Sequence, residues 1–306
     1  MIRSIQHVAL QLPRVDDARA FYTALGLELA ERGDRLVARC AGRAQDQVLV
    51  TEGPRPALRY VSFGGRAEDL PATAARLQAR GVTLEDPPAG APDGLWFRDP
   101  DRNLIHLGTE ASAPPRAAEA VAINTSGAIV RPSVRGCPPF GLDPKPLRLA
   151  HIILFTPDPK AQAQFYTGAL GMKLTDFVGD DFVYFLRGAS DGDHHLLGLL
   201  KSPTPGLHHQ SYEMDSLDHM QLGARRVTDA GFQHVWGTGR HTVGSNFFHF
   251  FRDPWGTLAE YTFDLDFIPE GSAWEARHWS KEQGLFLWSN DGPPPPDFAR
   301  NLVEAA

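Results

Sequence analysis

Cysteine is nearly missing from this chain: Cys40 and Cys137 are the only two in 306 residues. Two cysteines make neither a disulfide framework nor a paired-cysteine zinc site, so both are expected to be reduced thiols. No run of about 18–20 apolar residues is present, the length a bilayer span needs. The opening MIRSIQHVALQL has no long apolar segment and no small-residue cleavage site. It is not a secretory signal, and the cytoplasm is the expected compartment. Positive charge is in deficit: 30 Lys and Arg against 37 Asp and Glu give a net charge of -7. That balance supplies no electrostatic reason to expect nucleic acid or an anionic membrane as partner. With sulfur scarce, the 12 histidines direct attention to imidazole and carboxylate chemistry. The length suggests two domains.

What is present is an internal repeat. Residues 5–25 read IQHVALQLPRVDDARAFYTAL and residues 149–170 read LAHIILFTPDPKAQAQFYTGAL. Each is an apolar strand containing His, a Pro-bearing turn, and an amphipathic segment ending in Phe-Tyr-Thr. The module ends repeat as well: GLWFRDPDRNLIHLG at 94–108 and FHFFRDPWGTLAEYT at 248–262. The shared Asp-Pro marks a hairpin, because Pro presets its φ while Asn or Gly tolerates positive φ. Between these ends lie two further helical stretches, Pro71–Ala79 and Met220–Ala230, followed by Gly81 and Gly231 as helix stops. Each copy therefore reads β-α-β-β twice. The expected organisation is a module at 1–110, a Pro- and Ala-rich linker at 111–146, a second module at 147–268 and a tail at 269–306. Part of the linker is expected to pack across the junction. Trp274, Trp279 and Trp288 suggest that the tail docks on the body.

The second module carries three candidate metal ligands. His151 opens its first strand, His208 and His209 share the strand GLHHQSYEM, and Glu260 follows the Asp-Pro turn. The long separations form no local motif, and each residue alone reads as a core histidine or a strand-edge glutamate. The repeat sharpens the reading: His7 aligns with His151, Tyr60 with His209 and His106 with Glu260. Three strands of a curved sheet can aim such side chains at one point. Two imidazoles and one carboxylate on one side of an ion make the facial set of non-haem iron(II) oxygenases. Because the first module carries Tyr60 and His106 instead, no metal is expected there. Successive strand residues face opposite ways, so only one of His208 and His209 can be a ligand; the repeat does not choose between them.

These residues resemble the two-domain extradiol catechol dioxygenases, 2,3-dihydroxybiphenyl-like, of the vicinal oxygen chelate superfamily. The resemblance covers roughly residues 3–270. It is carried by HIILFTPD at 151–158, FYTGALGM at 165–172, DHHLLGL at 193–199, HHQSYEM at 208–214, GRHTVGSN at 239–246 and FRDPWGTLAEY at 251–261. It implies an α+β fold of duplicated modules, each built of paired βαβββ motifs in a curved, barrel-like mixed sheet. It selects His209 as the ligand beside His151 and Glu260, and it implies catalytic roles for His195 and His241. His194 reads instead as a solvated turn residue. The implied cofactor is Fe(II), for which Mn(II) could substitute. The implied partners are an aromatic diol and dioxygen, in a homo-oligomer. The implied reaction opens the ring next to the two hydroxyls and places both oxygen atoms in the product. The chain departs from the family at Phe250, where a substrate-binding tyrosine is usual; Phe cannot donate a hydrogen bond. Phe250, His241 and Phe182 are the expected substrate contacts. Phe177 and Phe248 are further apolar candidates that could equally be core. Two other classes fit the same fold: a metal-dependent glyoxalase-like isomerase or transferase, and a non-catalytic protein that binds an aromatic ligand.

Overall fold

The computed structural model of the protein describes residues 1–109 and 122–301. The start of the expected linker, 111–121, and the last five residues of the expected tail lie outside the described residues.

The first half runs β1 (Ser4–Leu12), α1 (Val15–Ala24), β2 (Glu28–Arg32), β3 (Arg35–Arg39), β4 (Val48–Glu52), then β5 (Ala57–Gly64), α2 (Leu70–Ala79), β6 (Leu84–Glu85), β7 (Leu95–Arg98) and β8 (Leu104–Gly108). The second half begins β9 (Arg148–Thr156), α3 (Pro159–Leu170), β10 (Lys173–Val178), β11 (Val183–Arg187), β12 (Gly192–Asp193) and β13 (Leu197–Lys201). It continues β14 (Gly206–Glu213), α4 (Leu217–Asp229), β15 (Gln233–Arg240), β16 (Phe247–Arg252) and β17 (Leu258–Phe263). Each motif thus has three main strands after its helix, one more than the bare sequence pattern marks out. The third, β4, β8, β13 or β17, runs parallel to the strand that opens its motif.

The first half forms one eight-stranded sheet, ordered β2-β3-β4-β1-β5-β8-β7-β6. In the second half the same order, β10-β11-β13-β9-β14-β17-β16-β15, is extended at both edges by the tail. The second module ends on β18 (Phe267–Ile268), which pairs with β12, and the tail supplies β19 (Arg277–Trp279), α5 (Lys281–Gly284) and β20 (Trp288–Ser289). β19 pairs with β10 and β20 with β15. The fold is mixed α+β, and its sheets do not close into a barrel among the described strands.

Local chemistry explains the boundaries. Asp158 caps α3 by accepting from Ala161 N at 2.9 Å, Pro159 begins the helix, and Gly171 ends it at φ +74°. Ser216 caps α4 by accepting from His219 N. Both Asp-Pro turns are tied by their aspartates: Asp99 accepts from Asn103 N and Asp253 from Thr257 N. In the second turn Gly256 takes the positive φ; in the first it is Arg102, not Asn103, at φ +69°.

One apolar core runs through both halves, with Phe21, Tyr22, Phe63, Tyr166, Tyr212 and Tyr261 all buried in it. Polar cross-ties pin the junction. Arg226 of α4 donates to the Ala24 carbonyl, to Asp143 and to the Pro144 carbonyl, so this end of the interdomain segment is held between the modules.

Candidate metal centre and active site

Strand register converts the repeat into geometry. In the second half, Ser211 of β14 lies opposite His151 of β9 on one side and opposite Glu260 of β17 on the other. His209 is two residues back along β14. In the first half, Ser62 lies likewise between His7 and His106, and Tyr60 takes the place of His209. The two halves therefore present the same four positions from matching strands.

His151 Nε2 lies 2.9 Å from Glu260 Oε2, and His209 Nε2 lies 3.4 Å from the same oxygen. The two Nε2 atoms are 3.3 Å apart. Three donors held at about 2.1 Å from one ion in perpendicular directions would lie about 3.0 Å apart. All three residues are buried, and Glu260 Oε2 accepts no directed hydrogen bond. A buried, unpartnered carboxylate oxygen facing two imidazole nitrogens is the arrangement a divalent cation would satisfy. Among the described residues, this is the one group of three or more such side chains close enough to hold a metal ion. Burial alone would push the Glu260 carboxyl up, but the rings of His151, His209 and His241 outweigh it and hold the group well below the ordinary carboxylate range. Burial pushes His209 down to about 4 despite Glu260.

The first-half positions are spent on each other. His7 Nε2 is 3.1 Å from the Tyr60 hydroxyl. His106 Nδ1 is 2.8 Å from Ser62 Oγ, and its Nε2 donates to the Asp93 carbonyl. Both nitrogens of His106 are thereby committed, and the Trp96 ring stacks on its face.

The three second-half donors open into a cavity of about 180 Å³. Ile153, Phe182, Phe185, Leu200 and Val243 line it from the sheet and its loops; Leu285, Pro294–Pro296 and Phe298 close it from the tail. Among the described residues, no Lys or Arg lines it. His195 and His241 both face it. The His195 ring lies 4.3 Å from that of His151, and burial, reinforced by His151 and His194, holds it well below its usual pKa. His241 Nδ1 donates to the Leu285 carbonyl, and its Nε2 lies 3.6 Å from Glu260 Oε1.

Residues 4–107 and 148–261 match the family model described as the Glyoxalase/Bleomycin resistance protein/Dioxygenase superfamily. The chain belongs to this superfamily. Among its members, "Metapyrocatechase 2" of Cupriavidus necator is 37% identical over 310 residues, spanning 99% of this chain and 93% of that protein. The "Manganese-dependent 2,3-dihydroxybiphenyl 1,2-dioxygenase" of Geobacillus genomosp. 3 is 23% identical, spanning 96% of each chain. Among solved structures, the Mn(II)-bound glyoxalase from Novosphingobium aromaticivorans superposes with a TM-score of 0.78 at 25% identity, covering 98% of this chain and 94% of that one.

Against the expectations for a superfamily member of this type, Phe182 lines the cavity, whereas Phe177 stacks on Tyr184 and His278 away from it. Phe250 is buried one layer back, edge-on to His209 and Phe298. Phe248 stacks on the outer face of His241. Two sequence readings need correction. His194 is not a solvated turn residue: it is fully buried, with Nδ1 3.1 Å from His195 Nδ1 and Nε2 3.4 Å from Asp176 Oδ2. Nor do His208 and His209 point to opposite faces. A bulge between Leu207 and His209 breaks the alternation, and both rings reach the cavity wall. Sequence reasoning also passed over Asn246, although GRHTVGSN contains it. Its amide donates to Thr262 Oγ1 at 2.8 Å and to Glu260 Oε1 at 3.4 Å, orienting the carboxylate.

Proposed function

We propose that this chain is an iron(II)-dependent extradiol dioxygenase, with His151, His209 and Glu260 as its metal ligands and an apolar-substituted catechol as its substrate. The observation that carries the reading is the unpartnered Glu260 oxygen, 2.9 and 3.4 Å from two imidazole nitrogens, at the base of an apolar cavity. Bound by this facial set, a divalent metal would chelate two vicinal hydroxyls and leave a position for dioxygen. The chain's own residues supply the rest. His241 donates through Nδ1 to Leu285, so in its neutral form Nε2 presents a lone pair that can take a substrate hydroxyl proton. His195, opposite, is placed to hydrogen-bond a developing oxygen anion and to pass a proton to it. Ile153, Phe182, Leu200, Val243 and the tail exclude water. The ring bond beside the diol breaks, both atoms of dioxygen enter the product, and no external reductant is consumed. With no Lys or Arg on the cavity wall among the described residues, a carboxylated ring would be left unpaired there, which favours alkyl or aryl substituents.

The relatives' names divide between manganese and iron, and the donor set suits either. A glyoxalase-like reading wants ligands shared between modules; here the first-half counterparts are already hydrogen-bonded among themselves. The test is anaerobic loading with Fe(II) or Mn(II), followed by oxygen uptake across a panel of substituted catechols. One dioxygen consumed per diol, with a ring-opened product, is expected from the Fe(II) form. Metal binding without oxygen uptake on any diol would refute the reading.

A further inference from the structure

His208 has no role in the chemistry above, yet both of its ring nitrogens are committed. Nε2 lies 2.7 Å from the carbonyl oxygen of Phe298. A carbonyl only accepts, so this nitrogen carries a hydrogen. Nδ1 lies 2.7 Å from Nδ1 of His209. Two ring nitrogens at that distance share one hydrogen: one donates and the other offers its lone pair. The His208 ring sits edge-on between Phe155 and Phe298, surroundings that favour the neutral form. With its hydrogen on Nε2, neutral His208 can only accept at Nδ1. His209 Nδ1 must then donate, and His209 Nε2 is left with the lone pair, on the atom that faces His151 and Glu260.

We propose that His208, anchored by the Phe298 carbonyl, is a positioning residue that fixes His209 in the tautomer whose Nε2 can bind a divalent metal ion. The inference rests on the reading of His151, His209 and Glu260 as the ligand set. The usual partner of a ligating imidazole is a carboxylate, a carbonyl or water. Here a second imidazole stands between the ligand and the carbonyl, so the hydrogen pattern is handed inward from the tail across two rings. The bulge in β14 is what allows it, by turning consecutive side chains toward each other. His151 has no such arrangement: its Nδ1 is buried without a protein partner. His209 is therefore the imidazole ligand whose tautomer the protein itself sets.

The test uses Mn(II), which is stable in air, and the full-length chain. Affinity is measured by competition with a fluorescent chelator, without reference to turnover. His208→Phe keeps a ring in the apolar niche and removes the acceptor; its dissociation constant should rise about 10- to 100-fold. His208→Asn places an amide oxygen near the former Nδ1 and should stay within about threefold of the parent. Parent-like affinity in a folded His208→Phe overturns the proposal, as does an equal loss in both variants. A third measurement covers the case in which His208→Phe does not fold. In metal-free parent labelled with ¹⁵N-histidine, His209 should carry its hydrogen on Nδ1, and a hydrogen on Nε2 overturns the proposal. If the parent binds no Mn(II), or if His151→Ala leaves its affinity unchanged, the ligand assignment itself has failed.

Discussion

Stability should fall steeply as the pH drops below about 6.5, and His7 gives the effect a size. The ring is 5% exposed in the first half, and burial, with His106 and Arg35 adding, pushes its pKa down to about 3. The folded state therefore holds His7 neutral, while the unfolded chain protonates it near 6.5. Where the unfolded state binds more protons, stability rises with pH. The contribution is complete above about 6.5, is lost as the pH falls from there, and levels off once the pH passes the folded value near 3. At pH 5 the unfolded ring is about 97% protonated and the folded one almost wholly neutral, a loss of about 2 kcal/mol from this residue alone. The assay is urea unfolding at pH 7.5 and pH 5.0 for the parent and for His7→Gln. Glutamine can keep a donor near the Tyr60 hydroxyl but does not titrate. The stability difference between the two pH values should be smaller by about 2 kcal/mol in the variant. An identical difference in both proteins would mean that His7 is charged in the fold or open to water, and the reasoning would fail.

Other outcomes follow from the site. His151→Ala and Glu260→Ala should each lose the bound metal, whereas His106→Ala should leave metal content near one ion per chain; elemental analysis decides. His195→Gln should leave KM for the diol nearly unchanged and lower kcat by about 10²- to 10⁴-fold; an unchanged kcat removes His195 from the proton transfer. Phe298→Ala should open the tail side of the cavity and raise kcat/KM for bulky-substituted catechols relative to catechol itself; an unchanged ratio would mean that Phe298 does not bound the substituent. Phe250→Tyr buries a hydroxyl among His209, Trp236 and Phe298 and should cost about 1–3 kcal/mol in thermal unfolding. An unchanged melting temperature would show that the hydroxyl has found a partner.

The repeat was legible because it is written in long-range pattern. His7 and His151 open equivalent strands, and Ser62 and Ser211 sit in equivalent registers, so one half could be read against the other. The alignment pointed to three strands that could aim candidate donors at one place, but it did not choose between His208 and His209; the family resemblance made that choice. What escaped was set by single-residue irregularities. The bulge beside His209 leaves no mark in the strand GLHHQSYEM, and without it the alternation rule sends His208 the wrong way. His194 looked like a turn residue because Asp191 and Asp193 precede it; its burial depends on Asp176 and on the Trp274 ring of the tail, both distant in sequence. The positive φ at Arg102 likewise follows from the hairpin and not from residue type.

The short tail strands do more than roof the cavity. β19 pairs with part of the outer edge of β10 and β20 with part of that of β15, so one stretch of some dozen residues caps both ends of the eight-strand order that runs from β10 to β15. An uncovered strand edge is a template for joining another chain. Losing this stretch would bare two such templates on the same molecule, and a particle with two sticky ends can grow in both directions. Removing the segment that completes the pocket should therefore promote linear self-association.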